Sequence, residues 1–324
     1  MRRMCVALSV LFLSASSVGA VSFDWAVIGN PGNPADNTGY GSVGYQYSIS
    51  KYEVTTAQYV EFLNSVAKTD TYGLYNTNMG GSTYYSGISR TGSSGSYTYT
   101  SNAGWENRPV VYVSWYDTLR FVNWLHNGQP TGLQGVSTTE DGAYKFTGAT
   151  IVNGRNVGAM YFLPSENEWY KAAYYDSIAG VYYDYATGSD TLPLRTTPSG
   201  DTGNSANYYD GNSYLFLTDV GAYSFSDSPY GTYDQSGNAW EWNETIIGSN
   251  RVYRGGSWNS RENSLPASYR GSISPAQEYH YIGFRIASFY TGEEGGNEPI
   301  PEPASIGLVM LSLSGLALRR AKKS

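Results

Sequence analysis

The chain has 324 residues, with 20 Lys and Arg against 27 Asp and Glu, a net charge of −7. That balance disfavours nucleic acid and anionic membranes, whose binding needs basic patches, and a single cysteine, Cys5, excludes a disulfide framework. Tyr (32) and Gly (38) are in surplus; tyrosine offers broad contact area at low entropic cost, and it is equally at home in β structure.

Met1–Ala20 opens with Arg2 and Arg3, runs apolar through Val6–Leu13 and closes on Val18-Gly19-Ala20. This is the pattern of a secretory signal peptide; a membrane anchor is the alternative, with an apolar core short for a span. Since Cys5 falls in that leader, the mature chain has no thiolate nucleophile and no sulfur ligand. Val21–Tyr47 reads as an opening strand on Phe23, Trp25, Val27 and Ile28, then a Gly/Pro/Asn loop. Tyr45–Val54 alternates as a further strand. Thr55 and Gln58 have capping-box spacing, and Tyr59, Phe62, Leu63 and Val66 recur at helical spacing. Tyr72–Trp105 has little apolar period and reads as a long loop, functional or disordered. Arg108–Val113 reads as a strand leading to Ser114, an N-cap with Asp117 three residues on. The helix behind it carries Trp115, Leu119, Val122 and Leu125 on one face, and His126 at its C-terminal end favours the dipole.

Gln129–Gly158 reads as loop with short strands, and Met160–Leu163 leads into a second capping box, Ser165 with Glu168, ahead of Trp169, Ala172 and Ala173. Glu166 and Glu168 could suggest paired acid–base carboxylates, but two apart on a helix they point different ways. Asp176–Asp227 is again loop, with oxygen-bearing side chains clustered over Ser205–Asn212. Tyr230–Ser260 then holds three of the eight tryptophans and many glycines, a pattern of rings packed against backbone that only Gly permits. Asn238 and Glu241, with carbonyls between them, form a plausible Ca2+ site; the alternative is that Asn238 caps a turn and Glu241 pairs with an arginine.

Several of these segments, in order, resemble the formylglycine-generating enzyme family, or sulfatase-modifying-factor domain. They are Tyr52-Glu53-Val54-Thr55, Arg108-Pro109-Val110 with Val113-Ser114-Trp115, Leu163-Pro164-Ser165 with Glu168-Trp169, Gly-Asn-Ala-Trp-Glu-Trp (237–242), Arg-Gly-Gly-Ser-Trp (254–258) and Gly-Phe-Arg-Ile-Ala (283–287). The resemblance covers roughly Tyr47 to Ser288. It implies an α+β fold of low regular content, the family's C-type-lectin-like variant, with about three main helices and short strands in one domain over 21–290. It also implies Ca2+ at two places. One set carries over onto Asn207, Tyr208 and Asp210 or Asn212; the other, more securely, onto Gly237, Asn238, Ala239 and Glu241.

The family's oxidases bind copper through two cysteines three and eight residues beyond the serine of the Gly-Gly-Ser turn. Counted from Ser257, those positions are Ser260 and Leu265; soft metals select thiolate, so no copper is expected. A related branch holds iron with three histidines, and only His126 and His280 exist here, so no iron is expected either. A triad of Ser260, His280 and Asp227 or Glu278 is arithmetically possible, without a nucleophile elbow around Ser260. No residue is assigned a catalytic role. The retained frame, Arg254, Ser257, Trp258, Asn259, Ser260 and Arg285 with Trp240, Trp242 and Arg270, corresponds to the face on which the family holds an extended peptide. Arg254 and Arg285 could instead pair with Glu241 or Glu244 and hold the fold.

Gly292–Glu302 is rich in Gly, Glu and Pro and reads as a flexible linker. Pro301-Glu302-Pro303, apolar Ala304–Leu318 and the basic Arg319, Arg320, Lys322 and Lys323 follow. This resembles the Pro-Glu-Pro C-terminal sorting signal of Gram-negative bacteria, which divides the end into a linker and motif (291–303) and a transmembrane sorting tail (304–324). It implies processing by an exosortase-type protease and delivery to the cell surface or matrix; an ordinary tail anchor is the alternative. Loss of both ends leaves 14 basic residues against 26 acidic ones, a net of −12. The function expected is that of an exported surface or matrix protein binding an extracellular polysaccharide or peptide. An enzyme with non-cysteine chemistry (oxidoreductase or hydrolase) and a purely structural matrix protein are the alternatives.

Overall fold

The computed structural model describes residues 20–81 and 85–289. The expected leader, apart from Ala20, and the expected linker and sorting tail lie outside them. Among the described residues no helix is long and apolar enough to cross a membrane.

Among the described residues three α-helices form, where side chains satisfy the first backbone N–H groups. Helix α1 is Thr56–Val66, α2 is Trp115–His126 and α3 is Glu166–Tyr174. Each starts with a complete capping box, Thr55/Gln58, Ser114/Asp117 and Ser165/Glu168. The predicted apolar stripes are all buried, from Tyr59, Phe62, Leu63 and Val66 on α1 to Trp169, Ala172 and Ala173 on α3. Helices α1 and α2 meet through Phe62 and Phe121, whose ring centroids lie 5.3 Å apart; Phe284 closes on Phe121 at 5.4 Å.

Among the described residues two four-stranded sheets, with four two-stranded ribbons beside them, hold the strands. The first, fully antiparallel, orders Trp25–Ile28, Tyr47–Ser50, Ala287–Ser288 and Tyr161–Phe162. The second orders Gly271–Ile273, Asn250–Arg254, Trp240–Ile247 and Ile282–Gly283, the last pair parallel. Two-residue strands are too short to advertise themselves by alternation, and long-range pairing places them.

Three readings of the sequence need correction. Tyr72–Trp105 is not featureless: it contains a 3-10 turn at Thr77–Gly80 and a hairpin of Ile88–Thr91 with Thr98–Ser101. Arg108–Val113 makes only an isolated bridge, Pro109 with Thr55. Pro109 has no N–H to give a ladder, and Tyr112, at φ 63°, turns the chain out of extended geometry. His126 does not act as a cation at a helix end: its Nδ1 accepts from the Met160 N–H at 3.2 Å, and burial lowers its pKa.

Candidate functional site

Three loops meet at the segment Tyr230–Ser260. Gly237 has φ 106°, and a Cβ there would stand 2.3 Å from the Asn207 carbonyl oxygen, so only glycine fits. Its N–H donates to the Gly255 carbonyl at 2.8 Å. Asn238, left-handed at φ 57°, donates its N–H to the Asn207 carbonyl at 2.9 Å and accepts from the Trp258 N–H at 2.8 Å. The chain around Asn207, Gly237 and Trp258 is therefore laced together by backbone bonds that depend on two unusual conformations.

Behind these loops lie buried ion pairs, and they move two expected groove residues away from the surface. Arg285, fully buried, donates Nε and Nη2 to Glu241 at 2.6 and 2.7 Å; its remaining bonds go to the carbonyls of Ser50, Lys51 and Tyr233. Arg254, equally buried, donates to Glu166 at 2.6 Å, and Arg270 holds the same carboxylate. Buried charges of this kind are stable only when paired, so neither Arg254 nor Arg285 lines a groove. Arg254 pairs with Glu166, a partner outside the two expected for it. Glu168, besides capping α3, holds Arg155, which leaves the Glu166 and Glu168 carboxylates with structural partners. Ser257 is also fully buried, and Trp242 and Trp240 belong to the core.

The expected cation ligands are divided by the structure. Both Glu241 oxygens are taken, by Arg285 and by the Trp169 indole N–H at 2.6 Å. Two carboxylates that the sequence reading did not select stand beside it. Glu53 is buried, with Oε1 accepting from Asn238 Nδ2 at 3.1 Å and Oε2 without a partner. Its pKa is pushed well up, first by burial and then by the charges of Asp234 and Glu241. Asp234, left-handed at φ 64° and holding the Gly221 N–H, is pushed up to about 6, chiefly by burial. A void the size of about one water is lined by Asn207, Asp234, Gln235 and Ser236 among others, and Asn207 Oδ1 is buried without a partner. Glu53, Asp234 and Glu241 all act on Arg285, and Glu53 Oε2 and Asn207 Oδ1 have no partner; carboxylate and amide oxygens are the donors a hard cation takes, but among the described residues these carboxylates do not converge as a ready metal-holding group. Gly237 and Ala239 lie in the loop alongside. Tyr208 is buried, its carbonyl accepting from Arg195 Nε at 3.3 Å, whereas the Asn212 side chain is exposed. Asp234 lies three residues before Gly237, within reach of a reading of the sequence; Glu53 falls in the Tyr52-Glu53-Val54-Thr55 segment, but it is 185 residues from Asn238, and the segment alone does not show that they meet.

The positions that carry copper-binding cysteines in the resembled oxidases do not fit that metal here. Leu265 is fully buried against Ala206 and Tyr208, and a Cβ on Gly256 would stand 2.5 Å from its Cδ2. Ser260 Oγ hydrogen-bonds Ser257 Oγ at 2.9 Å. His280 lies among aromatic rings, nearest Tyr85 with centroids 4.5 Å apart, and burial lowers its pKa. Among the described residues its side chain makes no hydrogen bond with Ser260, Asp227 or Glu278, and no three His, Cys, Asp or Glu side chains converge in a metal-holding group. Trp258 is only 2% exposed, covered by Tyr85, Phe216 and Tyr214 at 5.1, 5.4 and 5.3 Å. Asn259 and Ser260 remain half-exposed at its edge.

An α+β domain of three capped helices, two small sheets and long ordered loops, with the Gly-Asn-Ala-Trp-Glu and Arg-Gly-Gly-Ser-Trp segments at its heart, defines a fold class. The chain belongs to the sulfatase-modifying factor enzyme 1-like domain family, whose profile matches residues 34–289. It is 29% identical over 149 residues to hercynine oxygenase of Mycolicibacterium smegmatis, an overlap of 39% of this chain and 32% of that relative, so the match spans about a third of its length. Among solved structures it resembles CarF (23% identity, TM-score 0.53, 83% of this chain and 99% of that one). It also resembles Treponema denticola variable protein 1 (20% identity, TM-score 0.52, 85% and 98%). These likenesses show the fold: the C-type-lectin-like variant of the formylglycine-generating enzyme architecture.

Proposed function

We propose that this chain is an exported protein of the cell surface or extracellular matrix, whose domain binds a polysaccharide or peptide and does not generate formylglycine. The observation that carries the reading is the pair Ser260 and Leu265. The first is a hydroxyl held by Ser257 and the second a core side chain, and no cysteine lies elsewhere in the mature chain. The leader-like Met1–Ala20 and the Pro-Glu-Pro tail support export and processing by an exosortase-type protease. In this reading Ca2+ is structural. Glu53 and Asp234 would hold it with oxygens from the loops of Asn207 and Gly237–Ala239, and it would supply the positive charge that Arg285 alone does not.

The test is a thermal melt of the full chain with Ca2+ and with chelator. Ca2+ should raise the melting temperature, less so in Asp234→Asn, and equal melting in both conditions removes the cation. The binding reading is tested by calorimetric titration with polysaccharides and peptides, where absence of any saturable partner counts against it.

A second reading, an enzyme with non-cysteine chemistry, is favoured by the likeness to an oxygenase over 149 residues. It predicts substrate-dependent oxygen consumption or hydrolysis by the purified chain above that of the heat-denatured chain, and no turnover with any substrate class counts against it.

A further inference from the structure

The covering of Trp258 is itself a surface. Tyr209 stacks on Tyr214 with centroids 4.3 Å apart and planes 18° apart, and Tyr214 and Phe216 lead onto Trp258. Tyr85 continues from Trp258 to His280, and His280 to Tyr281, which stacks on Tyr279 at 5.1 Å and 6°. Rings from four separate stretches of chain thus form one continuous track. All but the buried Trp258 are half-exposed or exposed, Tyr214 at 47%.

Two features of the track point to its occupant. The hydroxyls of Tyr85, Tyr214, Tyr279 and Tyr281 make no hydrogen bond to the described residues, and on half-exposed or exposed rings they are open to a polar ligand. The rings of the track carry no charge, and the carboxylates next to them in the chain are engaged, Asp210 with Arg195 and Glu278 with Asn76. The track's histidine is kept neutral by burial, and the guanidinium nearest the rings, Arg261, sits 5.5 Å from the Tyr209 centroid at one end. Peptide recognition by anchor residues needs pockets, yet the cavity beside Tyr85 and Trp105 holds about one water. Flat rings edged by hydroxyls instead match a ligand with apolar C–H faces and a hydroxyl rim.

We propose that this aromatic track is a binding platform for a neutral, uncharged glycan chain, whose sugar rings lie on the tyrosine faces while their hydroxyls meet the unpartnered phenols and the Asn259 amide. This rests on the binding function proposed above and names its ligand class and its site.

The experiment is calorimetric titration of the full chain, in a non-glycosidic detergent with Ca2+, against neutral gluco-, manno- and galacto-configured hexasaccharides. Alginate and a synthetic peptide library are the comparisons, with Tyr214→Ala, Tyr279→Ala and both Tyr→Phe variants alongside. Saturable binding of a neutral hexasaccharide is expected. Each alanine substitution should weaken it about tenfold, the size of one aromatic contact, with the melting temperature unchanged. The phenylalanine variants separate ring from hydroxyl and should retain part of the affinity. Neutral-glycan binding that survives both alanine substitutions overturns the site and leaves the binding function standing. Binding of alginate or peptide alone overturns the ligand class. No binding to any probe overturns both this proposal and the function it rests on.

Discussion

Arg285 is where one side chain does most for the fold. Its guanidinium joins Glu241 to three carbonyls from two other parts of the chain, and no water reaches the pair. Removing one member leaves the other charged and buried, so Arg285→Ala should lower unfolding free energy by about 3–5 kcal/mol. Arg285→Lys should rescue little of this, because an ammonium cannot reproduce the planar fork; urea denaturation at neutral pH measures both. Asp234 and Glu53 make an opposite kind of statement. In the metal-free protein their carboxyls keep protons to higher pH when folded than when unfolded. The contribution of Asp234 is therefore full at low pH and is lost as pH rises from about 4 through about 6, and that of Glu53 is lost in the same direction. The stability difference between Asp234→Asn and the parent should grow in favour of the variant across that window, and saturating Ca2+ should reverse it. A difference that is flat with pH would remove Asp234 from the account.

At the scale of elements, the three helices stand on local chemistry. Replacing the cap Ser165 by Ala leaves the first turn of α3 with an unsatisfied N–H and should cost about 1 kcal/mol, read as a lower denaturation midpoint with unchanged slope. This locality is why the helices were legible: a capping pair and a four-residue stripe lie within one short window. The strands were not. Ile282–Gly283 belongs beside Trp240–Glu241 in parallel register, some forty residues away in sequence; the first is too short to show alternation, and the strand Trp240–Ile247 begins with four buried residues and does not alternate. Tyr72–Trp105 misled for the same reason, since its hairpin buries little beyond Ile88 and Tyr99 and the rest is polar on both faces. Ser114 and Asp117 add a further test. Burial and then the charge of Glu278 push Asp117 up to about 8, so the cap of α2 should respond to pH near neutrality where those of α1 and α3 do not, as amide exchange at the α2 start would report.

For the whole molecule, the sequence motifs located the loops that meet around Asn207, Gly237 and Trp258, because glycines in forced conformations are visible as glycines. What they could not show is which side chains those loops enclose. Nothing in the sequence beside Arg254 or Arg285 names a partner for either, and only the folded chain shows that both are sealed against glutamates. Glu53 escaped selection because its neighbours in space come from the far end of the chain. The aromatic track likewise gathers Tyr85, Tyr214, Trp258 and Tyr279, none within twenty residues of another.

The strand Ala287–Ser288 lies between two neighbours in the first sheet and pairs with both. Mechanical tension applied at Phe289 would fall first on those two residues, which alone offer little resistance. Two positions inward, the clamp of Arg285 ties the same segment to Glu241 of the second sheet and to the Ser50 and Lys51 carbonyls at the end of a first-sheet strand. A pull on the C-terminal end is thereby shared between both sheets, so the domain should yield to force as one body and not by peeling from its last strand.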